Sequence, residues 1–334
     1  MYNIKYHNQD LSSFSFLITG GAGFIGSNIV EYLLKYNAGK VRVLDNLSTG
    51  KMENIEPFLS NPAFEFVEAD IRDFSACEQA LENIDFVSHQ AALGSVPRSV
   101  KDPITTNEVN VSGFLNMLVA ARNANVKQFV YAASSSTYGD SKKLPKVEEQ
   151  IGKPLSPYAV TKYVNELYAD VFAKVYNFNS IGLRYFNVFG PKQDPYGAYA
   201  AVIPLFFKAA LNNTPPTING DGNQTRDFTF IENAVQANIK ALLHPHQQNK
   251  AEVINIAVGE NTTLNNLWNE ICKIVGTELN ANHGPDRAGD IRDSLADISK
   301  AQQLIGYDPA FNLSTALVPT FNWYKTQNFS NLNV

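Results

Sequence analysis

Apolar residues along the first half of the chain are gathered into short blocks, and the stretches between them change period. Runs at 14–19, 40–44, 84–88, 128–133 and 180–185, with Phe64, Phe66 and Val67 between the second and third, have the length of buried strands. Behind the first run Ile25, Ile29, Leu33 and Tyr36 recur at helical spacing. Strands alternating with helices predict repeated β-α units, hence an α/β fold built on a parallel, doubly wound sheet. Beyond residue 185 the alternation fades, and proline, glycine and asparagine become frequent. The organisation expected is a domain from 1–186, to which 234–257 returns, and a smaller C-terminal lobe from 187–233 and 258–334. A long helix opening at Pro157 would carry Val160, Val164, Leu167 and Val171 along one side. That stripe needs a cover, and Phe114, Leu115, Leu118 and Val119 of the preceding helix are placed to give it within one subunit.

Composition narrows the picture. The 334 residues are 44% hydrophobic and 18% charged with a net charge of −5, enough apolar content for a sizeable core. No basic run exists, which argues against nucleic acid and against anionic membranes. The two cysteines, Cys77 and Cys272, have neither metal nor redox spacing and suit a reducing compartment. Polar and charged residues stand at the N-terminus where a signal peptide needs an apolar run. The most apolar stretch, 198–211, contains Pro204 and Lys208 and falls short of the roughly 20 residues that span a bilayer. A cytoplasmic protein without a metal is expected.

The chemistry begins where the first strand runs into Gly20-Gly21-Ala22-Gly23-Phe24-Ile25-Gly26. Strand, glycine turn and helix form the arrangement in which backbone N–H groups and a helix N-terminus hold a pyrophosphate. Gly20, Gly23 and Gly26 are spaced one residue wider than the Gly-x-Gly-x-x-Gly fingerprint. The second strand leads to Asp45, a carboxylate suited to the ribose hydroxyls of NAD and repulsive to the 2′-phosphate of NADP. Asn46-Leu47-Ser48-Thr49-Gly50 supplies no arginine to reverse that preference, so NAD is the cofactor expected. Asp70 and Ile71 after the third strand are placed for the adenine. After the fourth, Gln90, Ala91 and Ala92 let a cofactor approach the backbone; His89 reads as structural. The fifth strand ends in Ser134-Ser135-Ser136-Thr137-Tyr138-Gly139. Tyr158 and Lys162 then stand four apart, on one face of a helix. An ammonium beside a phenol favours the phenolate, which would make Tyr158 a proton acceptor near neutral pH.

The glycine pattern, the serine run and the Tyr-x-x-x-Lys pair together resemble the extended branch of the short-chain dehydrogenase/reductase superfamily, whose nucleotide domain is a Rossmann fold. Leu183-Arg184-Tyr185-Phe186-Asn187-Val188-Phe189-Gly190 and Arg287-Ala288-Gly289-Asp290 are similar to those of UDP-hexose 4-epimerases. Gln90-Ala91-Ala92-Leu93-Gly94-Ser95-Val96-Pro97-Arg98-Ser99 and residues 156–166 are similar to bacterial UDP-N-acetylglucosamine 4-epimerases, and the likeness covers essentially the whole chain. One departure is the three serines, where a single serine or threonine usually carries the hydroxyl.

The resemblance implies C4 epimerisation through a 4-keto intermediate with retained NAD, in the service of surface polysaccharide synthesis. Ser134 then bridges the sugar hydroxyl and Tyr158, Lys162 holds the cofactor ribose, and Ser136 is left free to face the sugar. Phe24, Ile25, Asn46, Ser48, Thr49, Gly50, Asn110, Tyr185 and Val188 would complete the cofactor site. For the substrate it implies Asn187, with Arg226 and Arg287 on the diphosphate and Asp290 on the uridine ribose. Gly94, Ser95, Gln193, Ala201 and Val202 fall around the sugar. Ser294 stands where epimerases restricted to UDP-glucose and UDP-galactose carry a tyrosine, which opens room for an N-acetyl group; the plainer role is a helix cap. Related enzymes act on 6-carboxylate sugars, for which Arg98 and Arg292 are candidates. Dehydratases of this branch carry Asp-Glu where this chain has Ser135 and Ser136, and non-enzymatic NAD sensors commonly lack the Tyr/Lys pair. A homodimer through a four-helix bundle is also implied.

Overall fold

The computed structural model describes residues 1–196, 200–245, 250–285 and 292–327. The chain starts β1 (Ser15–Thr19), α1 (Phe24–Lys35), β2 (Lys40–Asp45), β3 (Phe64–Glu68), α2 (Phe74–Ala80) and β4 (Phe86–His89). Then come α3 (Val96–Lys101), α4 (Pro103–Asn107), α5 (Phe114–Asn123), β5 (Gln128–Ser134), α6 (Pro157–Tyr176) and β6 (Ser180–Tyr185). The remainder holds β7 (Val188–Phe189), α7 (Val202–Leu211), β8 (Thr217–Asn219), β9 (Thr225–Arg226), β10 (Thr229–Phe230) and α8 (Ile231–Leu242). It closes with β11 (Ala251–Ile256), β12 (Thr262–Thr263), α9 (Leu264–Val275), β13 (Asn282–Gly284), α10 (Ser299–Ile305) and α11 (Leu313–Thr326).

Seven strands form one parallel sheet in the order β11-β6-β5-β4-β1-β2-β3, with helices on both faces, so the doubly wound α/β fold is present. Strand order reverses between β1 and β4, which opens a crevice at their carboxyl ends. The fourth strand starts two residues later than the apolar run suggests, because Asp85 is spent accepting the Ser15 N–H at 2.9 Å. One core layer packs α1 and α8 on the sheet through Ile29, Leu33, Val235 and Ile239; the other packs α5 and α6 through Phe114, Leu118, Ala169 and Phe172. A third cluster joins Phe206, Phe207, Trp268, Ile271 and Leu317 of α7, α9 and α11 to Ile231 and Ala234 of α8.

The helix stripe meets a different fate from the one expected. Phe114 and Leu118 are wholly buried, packed with Phe129 and Tyr131 of β5 and with Ala169 and Phe172 on the inner side of α6, and not over its stripe. Val160, Leu167 and Val171 consequently remain 48% exposed each. Leu115 and Val119 are partly buried against the same cluster, so α5 covers one flank of α6 and leaves these three side chains exposed among the described residues. Among the described residues no helix is long and apolar enough to cross a membrane, and no group of three or more His, Cys, Asp or Glu is placed to hold a metal.

Candidate active site

The crevice is a cleft of about 620 Å³ running from the β1–α1 turn to the start of α6 and the loop after β6. Gly20 takes a φ of +67°, and a Cβ there would lie 2.7 Å from the Ala91 nitrogen. A Cβ on Gly26 would lie 2.2 Å from the Gly20 carbonyl oxygen. Side chains at either position would fill the cradle, so the turn is shaped for something that touches backbone. Gly23 caps α1 without any side-chain hydrogen bond, leaving the first N–H groups of a 12-residue helix for an outside acceptor. Asp45 at the end of β2 accepts N–H groups from Ala22 at 3.0 Å and Leu47 at 2.8 Å, and burial nonetheless raises its pKa. These features fit a dinucleotide. Phe24, Ile25, Asn46, Ser48, Thr49, Gly50, Asp70, Ile71, Gln90, Ala91, Ala92, Tyr185 and Val188 all line the same cleft. Asn110 does not. It is buried behind the wall, accepting the Leu93 N–H at 2.8 Å and reaching Thr161 at 3.2 Å, so it shapes the loop rather than the surface.

Ser134, Tyr158 and Lys162 converge on the far wall. Ser156 caps α6 by accepting the Ala159 N–H at 3.2 Å, Pro157 takes the first helical position, and the Tyr158 N–H donates to Ser99 Oγ at 3.0 Å. This start aims Tyr158 and Lys162 at the carboxyl end of β5. Lys162 Nζ donates to the Ala132 carbonyl at 2.7 Å, and burial lowers its pKa to about 8 against the opposing charge of Glu166. The expectation for Tyr158 needs correction. Burial raises its pKa, the Ser134 hydroxyl pulls the other way, and Lys162 Nζ is turned to the backbone of β5. Ser136 is corrected too: its hydroxyl donates to Ser134 Oγ at 2.9 Å instead of standing free. Ser134 Oγ thus accepts from the Ser136 hydroxyl on the same cleft wall as Tyr158.

Of the expected substrate residues, Gly94, Ser95, Asn187, Gln193 and Ala201 line the cleft, while Val202 begins α7 behind it. Arg226 lies outside the wall, its Nη1 donating to the carbonyls of Thr225 at 2.8 Å and Arg292 at 3.1 Å. Arg287 and Asp290 lie outside the described residues. Ser294 caps no helix, since α10 begins at Ser299. It is half-buried between Asp293, which accepts from Thr225 Oγ1 at 3.0 Å, and Leu295, whose carbonyl accepts the Lys146 N–H at 2.7 Å. Arg98 lines the cleft, whereas Arg292 is exposed and paired with Asp221 at 3.1 Å.

Sequence reasoning missed the residues that hold these loops. Lys51, Lys192 and Asp194 line the cleft from loops without periodicity, and Lys51 meets Asp194 across it at 3.3 Å. Asp227 is fully buried and accepts N–H groups from Val258 at 3.1 Å, Gly259 at 3.1 Å and Ala296 at 3.2 Å. Its own carbonyl receives the Asn187 amide at 2.9 Å. Burial pushes its carboxyl up to about 6 despite the three donors. One residue therefore ties together Asn187, the turn after β11 and the segment carrying Ser294.

Comparison with known proteins adds the following. The signature described as "NAD dependent epimerase/dehydratase family" matches residues 16–257. A putative UDP-glucose 4-epimerase of Methanocaldococcus jannaschii is 39% identical over 314 residues, covering 93% of this chain and 99% of the relative. The solved UDP-N-acetylglucosamine 4-epimerase from Methanobrevibacter ruminantium M1, in complex with UDP-N-acetylmuramic acid, is 38% identical with a TM-score of 0.87, covering 93% of this chain and 98% of that one. The UDP-glucuronic acid 4-epimerase from Bacillus cereus, solved with UDP-glucuronic acid and NAD, is 33% identical with a TM-score of 0.86, covering 93% and 99%.

Proposed function

The chain belongs to the NAD-dependent epimerase/dehydratase family, and from that premise we propose that it interconverts UDP-N-acetylglucosamine and UDP-N-acetylgalactosamine by inverting C4. It is an isomerase of UDP-sugars that uses NAD. The observation that carries the reading is the meeting of Tyr158, Ser134 and Lys162 on one wall of a cleft whose other end is the glycine turn. NAD would be held by that turn, Asp45 and Lys162, and would supply the acceptor and donor of the C4 hydride. Tyr158 removes the proton of the sugar 4-hydroxyl, and Ser134 orients that hydroxyl by hydrogen bond. Lys162 offers a positive charge to the phenolate once its Nζ leaves the Ala132 carbonyl. The 4-keto sugar then turns over in the cleft, and Tyr158 returns the proton. The chain's share is positioning and proton transfer.

The N-acetyl specificity rests on the resemblance, in which a small side chain at Ser294 replaces a tyrosine. Ser294 is not among the described residues that line the cleft, and its neighbours on both sides are pinned to β9 and to Lys146. The 6-carboxylate sugars are the second reading, favoured by the guanidinium of Arg98 in the cleft wall. The test is to incubate the purified protein with UDP-N-acetylglucosamine, without added cofactor, and follow UDP-N-acetylgalactosamine by NMR; no product would refute the assignment. Ser294→Tyr is expected to lower kcat/KM for the acetylated pair by about a hundredfold, comparable to a bulky side chain filling a pocket, with UDP-glucose turnover retained. An equal fall on both pairs would remove Ser294 from the pocket.

The uncovered stripe of Val160, Leu167 and Val171 calls for a second copy of α6, in the four-helix arrangement that pairs two helices from each subunit. Leu167→Glu, which puts a charge on that face, is expected to turn a dimeric mass in sedimentation into a monomeric one. A parent that sediments as a monomer at micromolar concentration would count against the dimer.

A further inference from the structure

Residues 1–14 precede β1 and lie outside the stretch that the family signature matches, yet they hold some of the most buried side chains in the molecule. Tyr2 is 0% exposed and Leu11 1%. The arm is built onto one face of α1. Tyr6 stacks on Tyr32 with ring centroids 5.6 Å apart, and its N–H donates to the Tyr32 hydroxyl at 2.7 Å. His7 Nδ1 lies 2.8 Å from the same hydroxyl. The Tyr6 hydroxyl donates to Glu232 at the start of α8 at 3.1 Å, and the Tyr2 hydroxyl donates to Asn28 Oδ1 at 2.5 Å.

Asn28 connects this arm to the cleft. It is wholly buried, and its Nδ2 donates to the Phe24 carbonyl at 2.8 Å and to the Pro191 carbonyl at 3.3 Å. A buried amide whose nitrogen faces two carbonyls needs a donor for its oxygen, and Tyr2 supplies one. One turn further on, Glu31 holds Lys192 Nζ at 2.7 Å. The loop after β7 is thus pinned to α1 at two adjacent points, and its residues Lys192, Gln193 and Asp194 line the cleft. It needs pinning. Gly190 and Lys192 have φ of +145° and +72°, and a lysine adopts such backbone only when its surroundings compel it.

We propose that the arm is a positioning strap for the substrate loop: Tyr2, acting through Asn28, holds Pro191 and so sets residues 192–194 where a bound UDP-sugar needs them. Tyr2 and Asn28 are positioning residues, since neither lines the cleft. The inference rests on reading the cleft as a UDP-sugar site, and its test is chosen so that the two can fail separately. Tyr2→Phe in the full-length, NAD-loaded protein keeps the buried ring and removes one hydroxyl. UDP binding by calorimetry is expected to weaken about threefold to tenfold, the range set by losing one buried hydrogen bond. KM for UDP-N-acetylglucosamine should rise in step, with kcat within about twofold and bound NAD per chain unchanged, a split expected from lost ground-state and transition-state binding alike. Tyr6→Phe breaks the bond to Glu232, leaves Asn28 alone, and should not change UDP affinity. A lower melting temperature with unaltered UDP affinity in Tyr2→Phe would make the arm a stabilising tail and overturn the proposal. So would equal weakening in Tyr6→Phe, which would point to general loosening. If the parent binds UDP but does not turn over UDP-N-acetylglucosamine, the sugar assignment falls while the UDP comparison still decides the strap.

Discussion

Tyr158→Phe is expected to lower kcat by about 10²–10⁴-fold, the range that a positioned acid–base group contributes, while bound NAD and KM stay near parental values. The phenylalanine keeps the ring that closes the cleft wall and removes only the atom that moves the proton. The pH profile carries the sharper test. Lys162 is a base whose pKa burial has lowered to about 8, so its ammonium is present below that value and lost above it. Turnover that uses the ammonium should therefore fall as pH rises through about 8, well below the usual lysine range. The acid limb reports protonation of Tyr158 in the loaded site, where it must be a phenolate to accept the sugar proton. In Tyr158→Phe that limb should vanish while the alkaline fall persists in the residual rate. Parental turnover in the variant would remove Tyr158 from the chemistry.

Arg184→Ala carries the largest expected cost to stability. Arg184 Nε and Nη2 donate to the two carboxylate oxygens of Glu166 at 2.9 and 2.7 Å, Nη1 donates to the Glu148 carbonyl at 2.9 Å, and the guanidinium lies 4.9 Å from the Tyr138 ring centroid. Both partners are buried. Removing the cation leaves the Glu166 carboxylate desolvated and unpaired, a change worth about 3–5 kcal/mol in buried pairs. The pair ties α6 to β6, and Glu166 stands one turn beyond Lys162, so turnover should drop as well. Urea unfolding of the NAD-loaded protein measures the loss. The double variant Arg184→Met with Glu166→Leu should recover most of it, because an apolar pair needs no solvation. A single-variant loss below about 1 kcal/mol would show that water reaches the carboxylate. Glu166 also opposes the lowering of the Lys162 pKa, so Glu166→Gln should move the alkaline fall in turnover to lower pH.

Much of the fold was legible because its signals are local. A parallel sheet buried on both faces writes itself as short apolar runs, and the β-α alternation leaves few topologies open. Pro157 after Ser156 marked the start of α6 correctly, and Ser180–Tyr185 is a strand to its last residue. The seventh strand, Ala251–Ile256, was less visible because Glu252 and Asn255 interrupt its apolar run. Ser136 was misjudged, since hydroxyls two residues apart bond to each other as soon as the backbone turns at the end of β5. The resting place of the Lys162 ammonium on the Ala132 carbonyl was not legible, because helical spacing fixes which face a side chain leaves from, and not where its end comes to rest.

The amino-acid order by itself determined the glycine turn, the acidic end of β2 and the Tyr158–Lys162 face, because each depends on neighbours within one turn or one strand. Only the tertiary structure decided how Asp227 knots Asn187 to Ala296 and how Tyr2 reaches Pro191 through Asn28. It also decided which faces stay uncovered and which charges lie buried. Those contacts join residues far apart in the chain, and only the burial of the core brings such groups out of water and within reach of one another.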